Sequence, residues 1–178
     1  MNLPSDKALN GIRDRAMLAT LLYQGLRREE LCRLKVKDIH SRRSVPHLRV
    51  HGKGGKTQYM PLHAGAKALL QEYLDEAYHA ADTEGALFRP VRNNRTGRLN
   101  GPITPDGVYK FVRRYALGLG LKIGAHALRA TAATNALDHD ADIARVQEWL
   151  GHANIATTRI YDRRKSKPAD SPTFKVSY

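Results

Sequence analysis

Two residues one helical turn apart indicate a site that could bind a phosphate. The segment HALRATAAT contains His126 and Arg129, and their i, i+3 spacing directs both side chains to one face of a helix. A second arginine, Arg27, stands in GLRREEL with Glu30 three residues later. Fixed guanidinium groups stabilise the charge that builds on the oxygens of a phosphodiester under attack. Arg27 and Arg129 are therefore candidates for a clamp on such a phosphate.

Further residues indicate a function only through their order along the chain, because none of them alone is specific to one kind of site. A single tyrosine is rarely a nucleophile, and a single histidine is more often structural. Read together, the residues follow one another as Arg27, Lys53 in HGKGGK, His126 and Arg129, His152 in WLGHANIATT, and Tyr161 in TRIYDR.

This order resembles the catalytic set of the tyrosine recombinase and phage integrase family. The similarity extends from about Asn10 to Arg163 and includes G-L-R followed by Glu30, G-K-G in a hairpin, H-x-L-R-x-T-x-A-T, and L-G-H with the tyrosine nine residues later. It implies a covalent 3′-phosphotyrosine on Tyr161, structural support of the site by Glu30, no cofactor and no metal. The implied partner is double-stranded DNA, bound by a homotetramer, with a monomer as the alternative when DNA is absent.

General chemistry suggests a role for each of these residues. A departing DNA oxygen needs a proton, and Lys53 on its glycine-rich turn is the candidate general acid. His126 is the candidate acid/base partner of Tyr161, and His152 the candidate hydrogen-bond donor to the phosphate. The sequence leaves the division of roles between the two histidines open. A bond stored as phosphotyrosine needs no nucleotide for rejoining, and the sequence has neither a Walker loop nor a cluster of carboxylates for paired magnesium ions.

The sequence departs from the family pattern in two places. Ala130 follows Arg129 where many relatives have His or Arg, so we expect one supporting polar contact to be missing. We also expect this sequence to lack the N-terminal core-binding domain of such enzymes, as either an excised fragment or a naturally minimal enzyme, and we expect weak DNA binding by this chain alone. We assign residues 1–163 to a catalytic domain and residues 164–178 to a tail that docks on a neighbouring protomer or folds back in cis.

Composition agrees with a nucleic-acid partner. The 178 residues carry 30 Lys and Arg against 17 Asp and Glu, a formal net charge of +13, which favours binding of polyanions. No stretch approaches the roughly 18 apolar residues of a spanning helix, and the N-terminus lacks the apolar region of a signal peptide. We expect a cytoplasmic protein in which Cys32, the one cysteine, is a reduced buried thiol.

The elements that position these residues are mainly helical. Apolar spacing predicts helices over residues 12–23, 28–34, 66–77, 126–137 and 142–150, and a last short helix from Asn154 to Tyr161. Gly25 and Gly151 are expected to end two of them. Thr104 and Pro105 predict the start of another, with Val108, Phe111, Val112, Tyr115 and Leu119 on its packed face.

Two alternating runs, HLRVH and TQYMPL, flank GKGG and predict a β-hairpin with Lys53 at its tip. An extended stretch is expected from VKDIH, and the terminal FKVSY is a candidate strand. The expected class is a mixed α+β domain, mostly helical with a small antiparallel sheet. The resemblance implies the DNA breaking-rejoining fold that the family shares with type IB topoisomerases.

Basic residues away from this set are candidates for DNA binding. Residues 88–101 show no apolar period, so we expect a mobile basic loop, for which a solvated loop without a ligand is the alternative. On the helix after Thr104, basic side chains oppose the apolar face. The DNA-binding candidates are Arg89, Arg92, Arg95, Arg98, Lys110 and Arg113.

Three functions remain compatible with the sequence. The first is strand cleavage and rejoining by a site-specific recombinase. A topoisomerase-like relaxation of supercoils would use the same residues, and a DNA-binding module that retains these residues without turnover is the third.

Overall fold

The computed structural model describes residues 4, 7–92, 97–163 and 173, with the side chain of Lys53 outside the description. The described residues form two compact units, which divide between Ala132 and Ala133. No helix of the described part is long and apolar enough to cross a membrane.

The first unit is built on two helices that pack together, α1 (Leu9–Gln24) and α3 (Ala64–Glu76). Buried side chains of α1, among them Met17 and Leu21, meet the buried face of α3 around Leu70. Gly25 ends α1 as expected, with a φ of 59° that a side chain would disfavour. The short helix α2 (Arg28–Arg33) follows directly. Arg27 therefore lies in the sharp corner between α1 and α2.

A three-stranded antiparallel sheet of order β1-β2-β3 lies in the same unit. Its strands are β1 (Ile39–Arg42), β2 (Val45–His51) and β3 (Thr57–Pro61). The hairpin of β2 and β3 confirms the expectation from the sequence. The VKDIH segment is only partly extended, because residues Val36–Asp38 form a 3-10 turn before β1 begins. Leu48, fully buried, pairs with Ile39 on one side and Met60 on the other and fixes the inner face.

Helix α4 (Pro105–Gly118) begins where the sequence predicts. The Thr104 hydroxyl accepts a 3.0 Å hydrogen bond from the Gly107 amide, which satisfies one of the unpaired donors at the helix start. Val108, Phe111 and Val112 are buried as expected. Leu119, which was expected on the same packed face, directly follows the helix, because α4 ends at Gly118, and is 47% exposed.

The segment that was expected to be a mobile basic loop, residues 88–101, begins with a buried residue and is followed by another. Phe88 is 1% exposed and Ile103 is 8% exposed. The Ile103 amide donates to the Phe88 carbonyl oxygen at 2.9 Å. The interpretation from the missing apolar period therefore overlooked Phe88, which stacks on Tyr73 of α3.

Helix α5 (Ala125–Asp138) ends in the second unit, which also contains α6 (Ile143–Leu150) and α7 (Ala156–Arg159). Asp142 accepts a hydrogen bond from the Arg145 amide at the start of α6, and Gly151 ends this helix at a φ of 62°. Asn154 accepts one from the Ala156 amide. The core of this unit consists of Ala133, Leu137, Val146 and Leu150, and the partly buried Ile143 and Trp149 pack against it. The mixed α+β class with a small antiparallel sheet is confirmed.

Candidate active site

The Arg27 side chain is oriented by Glu30. Its backbone amide donates to Glu30 Oε2 at 2.8 Å, and its Nη1 donates to Glu30 Oε1 at 2.7 Å. The Arg27 side chain is 39% exposed, whereas that of Glu30 is 8% exposed. A buried carboxylate therefore fixes one edge of the guanidinium, and the rest of the group stays accessible to a ligand.

Arg129 approaches the same carboxylate from helix α5. It is 3% exposed, and its Nη1 lies 3.8 Å from Glu30 Oε2. The same nitrogen donates a 2.5 Å hydrogen bond to the carbonyl oxygen of Gly25. Glu30 thus offsets positive charge on both arginines, as a buried cation requires. The structural support that the sequence assigned to Glu30 has a physical basis in these contacts.

Arg27, His126 and Arg129 line one cavity of about 340 Å³ in the first unit. His126 and Arg129 stand one turn apart on α5, so the i, i+3 spacing brings both to this cavity. Arg28 and Glu29 contribute to its rim. The hydrogen bond between them, 2.7 Å from Nε to Oε1, lowers the pKa of the Glu29 carboxyl.

Tyr109 also lines this cavity, and the sequence interpretation missed it. Its hydroxyl accepts a 2.8 Å hydrogen bond from Arg113 Nη1, one turn further along α4. A Cβ atom at Gly124 would lie 3.0 Å from Tyr109 Cε2, so the small residue there leaves room for the ring. The i, i+4 spacing of Tyr109 and Arg113 on a basic helix was the available signal.

Lys53 begins a 3-10 turn, Lys53–Gly55, between β2 and β3. Gly54 and Gly55 both adopt positive φ, at 73° and 75°, and glycine adopts this conformation without strain. The hairpin position that the sequence predicted for Lys53 is confirmed. Its side chain lies outside the described residues, so its role as general acid stays a prediction.

His152 and Tyr161 lie together in the second unit. Their ring centroids are 6.2 Å apart. His152 Nδ1 lies 3.0 Å from the hydroxyl oxygen of Thr158, which is fully buried. Tyr161 packs beside the apolar core of this unit, and its carbonyl oxygen accepts a hydrogen bond from the Thr134 hydroxyl. These contacts orient both a phenol and an imidazole.

The DNA-binding candidates have different surroundings. Arg89 is only 14% exposed in its side chain, because Asp82 accepts from its Nη2 and the Ala86 carbonyl accepts from its Nε. Lys110 pairs with Asp106 at 2.7 Å on the exposed face of α4. Arg92 and Arg98 are exposed, and Arg95 lies outside the described residues. DNA binding by this set remains a prediction.

A metal site is not evident in the described part of the chain. No three or more His, Cys, Asp or Glu side chains among those residues are grouped to hold a metal ion.

Comparison with known proteins gives a consistent result. A model of the Phage integrase family matches residues 1–167. Tyrosine recombinase XerA of Pyrococcus horikoshii is 37% identical over 158 residues, which cover 89% of this chain and 53% of that protein. Tyrosine recombinase XerD of Listeria innocua is 38% identical over 156 residues, covering 85% of this chain and 50% of that protein.

Solved structures agree with this match. The XerH site-specific recombinase bound to a palindromic difH substrate, in a post-cleavage complex, superposes with a TM-score of 0.70 at 31% identity. The match covers 90% of this chain and 44% of that one. A crystal structure of XerA recombinase gives a TM-score of 0.69 at 29% identity, covering 86% and 54% of the two chains. The chain thus spans about half the length of the relatives that it matches.

Proposed function

This chain belongs to the phage integrase family, and from that premise we propose that it is the catalytic domain of a tyrosine site-specific recombinase. It cleaves and rejoins DNA strands through a 3′-phosphotyrosine intermediate on Tyr161. Double-stranded DNA is the proposed substrate, and the cytoplasm the proposed location.

The shared cavity of Arg27, His126 and Arg129 is the observation that carries this proposal. Its two guanidinium groups are held by one buried carboxylate, which limits their motion before a ligand arrives. Preorganised donors of this kind stabilise charge that develops on a phosphate in the transition state, because they need not reorient as the charge builds. A single backbone phosphate is the ligand whose shape and charge suit this arrangement.

The reaction exchanges one phosphoester bond for another. The Tyr161 phenol oxygen forms a bond to phosphorus as the bond from phosphorus to the 5′-oxygen of DNA breaks. His126 accepts the phenol proton, Lys53 gives a proton to the departing 5′-oxygen, and His152 donates a hydrogen bond to the phosphate. Rejoining reverses these steps with a 5′-hydroxyl as nucleophile, so no nucleotide cofactor is consumed.

We further propose that four protomers act on two duplex sites. Residues 164–178, almost all outside the described part of the chain, are proposed to dock on a neighbouring protomer. The exposed Lys110 and the Arg113 side chain extend the positive charge of α4 beyond the cavity, which supports contacts to flanking phosphates.

A nicked suicide duplex tests the proposed chemistry. Loss of the short 5′ fragment prevents rejoining, so wild-type protein should accumulate a protein–DNA adduct that survives denaturation. Tyr161→Phe should abolish the adduct. Tyr78→Phe is the matched control, because this tyrosine is 92% exposed and plays no part in the proposal; it should react as the wild type does.

The outcomes separate the alternative functions. An adduct that persists in Tyr161→Phe would mean that another residue is the nucleophile. DNA binding without any adduct in the wild type would favour a binding module without turnover. Where an adduct forms, relaxation of supercoiled plasmid without recombination between two sites would favour a topoisomerase-like activity.

A further inference from the structure

The outer face of the β-sheet carries positive charge that the proposed reaction does not use. Leu48, Val50 and Met60 point to the buried side of the sheet. Alternation along each strand sends their neighbours to the other side. The residues of this outer sheet face are His40, Arg42, His47, Arg49, His51 and Tyr59.

His40 and His47 form a cross-strand pair at the centre of this face. They are direct partners in the register of β1 and β2, and their ring centroids are 6.3 Å apart. His47 Nδ1 lies 2.8 Å from the Val45 carbonyl oxygen, and His40 Nδ1 lies 3.2 Å from the Asp38 carbonyl oxygen. A carbonyl oxygen only accepts, so each Nδ1 carries the hydrogen and each Nε2 is the nitrogen that can gain a proton. Protonation then creates two adjacent N–H donors.

The neighbouring elements add further charge to this pair. The Arg42 guanidinium lies over the Tyr59 ring at 5.6 Å, and His40 meets the same ring edge-on at 5.5 Å. The turn before β1 contributes the Asp38 carboxylate, which is fully buried and accepts from Arg49 Nε at 2.8 Å.

His51 Nε2 also lies near Asp38, at 3.7 Å. Arg49 therefore already balances the acid, and Arg42 leaves this face positive before any histidine is protonated.

We propose that the outer sheet face binds DNA phosphates beside the cleaved position, with His40 and His47 as a pair of phosphate ligands when they are protonated. The inference rests on the proposed function, because it takes DNA as the ligand. Histidine is the side chain whose charge commonly changes between about pH 5 and 8. Binding by this face should therefore strengthen as the pH falls through that range.

The position of the hairpin favours DNA as the ligand. β2 runs from Val45 to His51, a distance of roughly 20 Å at about 3.4 Å per residue. Lys53 follows at one end, and Arg42 and Arg43 lie at the other. A DNA strand has one phosphate per roughly 3.4 Å of helix axis. A strand whose phosphate reaches Lys53 therefore has several further phosphates within the length of this face.

The salt dependence of DNA binding tests the inference. Each phosphate contact adds about 0.9 to the slope of log K against log salt concentration. For the wild-type chain on a short duplex, we expect this slope to steepen by about one to two units between pH 8 and pH 6. The double variant His40→Gln/His47→Gln should lose that increment.

His139→Gln is the matched control for this measurement. His139 is exposed and has the same kind of contact, Nδ1 at 2.8 Å from the Asn135 carbonyl oxygen, but it directly follows α5 in the second unit and is not part of the sheet. This variant should keep the full pH-dependent increment of the wild type. An equal increment in the double variant would overturn the inference.

A measurement on the unmodified chain tests the site without depending on correct folding of the double variant. In imidazole ¹H–¹⁵N spectra at pH 6.5, added duplex should shift His40 and His47 towards the protonated form and leave His139 unchanged. No change in the first two rings would reject the site. The suicide-duplex adduct is scored separately, so absence of an adduct with intact pH-dependent binding would reject the proposed function and leave the sheet surface standing.

Discussion

Arg129 donates a 2.5 Å hydrogen bond to the carbonyl oxygen of Gly25, which ends the first helix. This bond joins two segments 104 residues apart in the chain. Arg27 follows Gly25 by two residues, so the bond also fixes the backbone that carries the second arginine of the cavity. The position of each arginine therefore depends on the segment that carries the other.

Glu30→Gln should weaken both the fold and the reaction. The change removes the charge that offsets Arg129, which is 3% exposed, and frees one edge of Arg27. Loss of one partner of a buried ion pair costs about 3 to 5 kcal/mol, and we expect about 2 to 3 kcal/mol here because Arg27 is partly solvated. Urea unfolding measures this change, and the adduct rate should fall about tenfold for a loss of about 1.4 kcal/mol in transition-state stabilisation.

Glu29→Gln is the matched control for that prediction. Its carboxylate pairs with Arg28, and both side chains are nearly half exposed, at 44% and 45%. Little change in stability is expected, because exposed pairs contribute little. Equal losses in the two variants would mean that Glu30 has no special role.

Gly25→Ala should destabilise the first unit by about 1 to 2 kcal/mol, because φ is 59° at this position and a side chain is strained there. Gly118→Ala, inside α4 and not at positive φ, should cost nothing or stabilise. Thermal or urea unfolding of both variants checks the contrast. A neutral Gly25→Ala would show that the corner before Arg27 is not conformationally restricted.

Cys32 should react slowly with thiol reagents. Burial raises its pKa from 9.0 to about 11, and the thiolate is the reactive form. At pH 8 the thiolate fraction is then about 100-fold lower in the folded chain than in the unfolded one. Labelling in buffer and in denaturant measures the ratio, and similar rates in both would contradict a buried thiol.

The same shift has a consequence for stability. Burial raises the pKa of Cys32 in the folded chain. The neutral thiol therefore contributes its full stabilisation of the fold below about pH 9, and this stabilisation is lost as the pH rises towards about 11. The free energies of unfolding of the wild type and of Cys32→Ala, measured at pH 8 and pH 10.5, give this pH-dependent stabilisation. The stability difference between them should shrink at the higher pH.

Thr158→Val should lower the adduct rate with little effect on folding. The Thr158 hydroxyl oxygen lies 3.0 Å from His152 Nδ1 and helps to orient a ring 6.2 Å from that of Tyr161. We expect a loss of about tenfold, the effect of about 1.4 kcal/mol, typical of one net hydrogen bond. Thr158→Ser keeps the hydroxyl and should restore most of the rate. A valine variant with wild-type activity would show that the Thr158 hydroxyl does not orient His152 for the reaction.

Local features were predictable from the sequence. Two helix ends, at Gly25 and Gly151, and the helix start at Thr104 depend on residues a few positions away. The same holds for the hairpin and for the placing of His126 and Arg129 on one helix face. The resemblance to the family indicated Glu30 as structural support, and its carboxylate accepts a hydrogen bond from Arg27. These features need no knowledge of tertiary neighbours.

Features that depend on distant neighbours were not predictable. Periodicity indicates the apolar face of α4 but not that the helix ends at Gly118, which leaves Leu119 outside it and exposed. The anchoring of Phe88 depends on Tyr73, and Arg89 is held by Asp82 in a turn that had no recognisable pattern. Tyr109 entered the cavity because Gly124, far along the chain, leaves space for its ring.

Identification of the residue bonded to DNA decides whether Tyr161 is the nucleophile. Trypsin cleaves after Arg159 and Arg163, so a purified adduct treated with nuclease and trypsin should yield the peptide of residues 160–163, IYDR, with a nucleotide phosphate on Tyr161. Fragmentation by mass spectrometry assigns the modified side chain. A nucleotide attached to any other residue would contradict Tyr161 as the nucleophile.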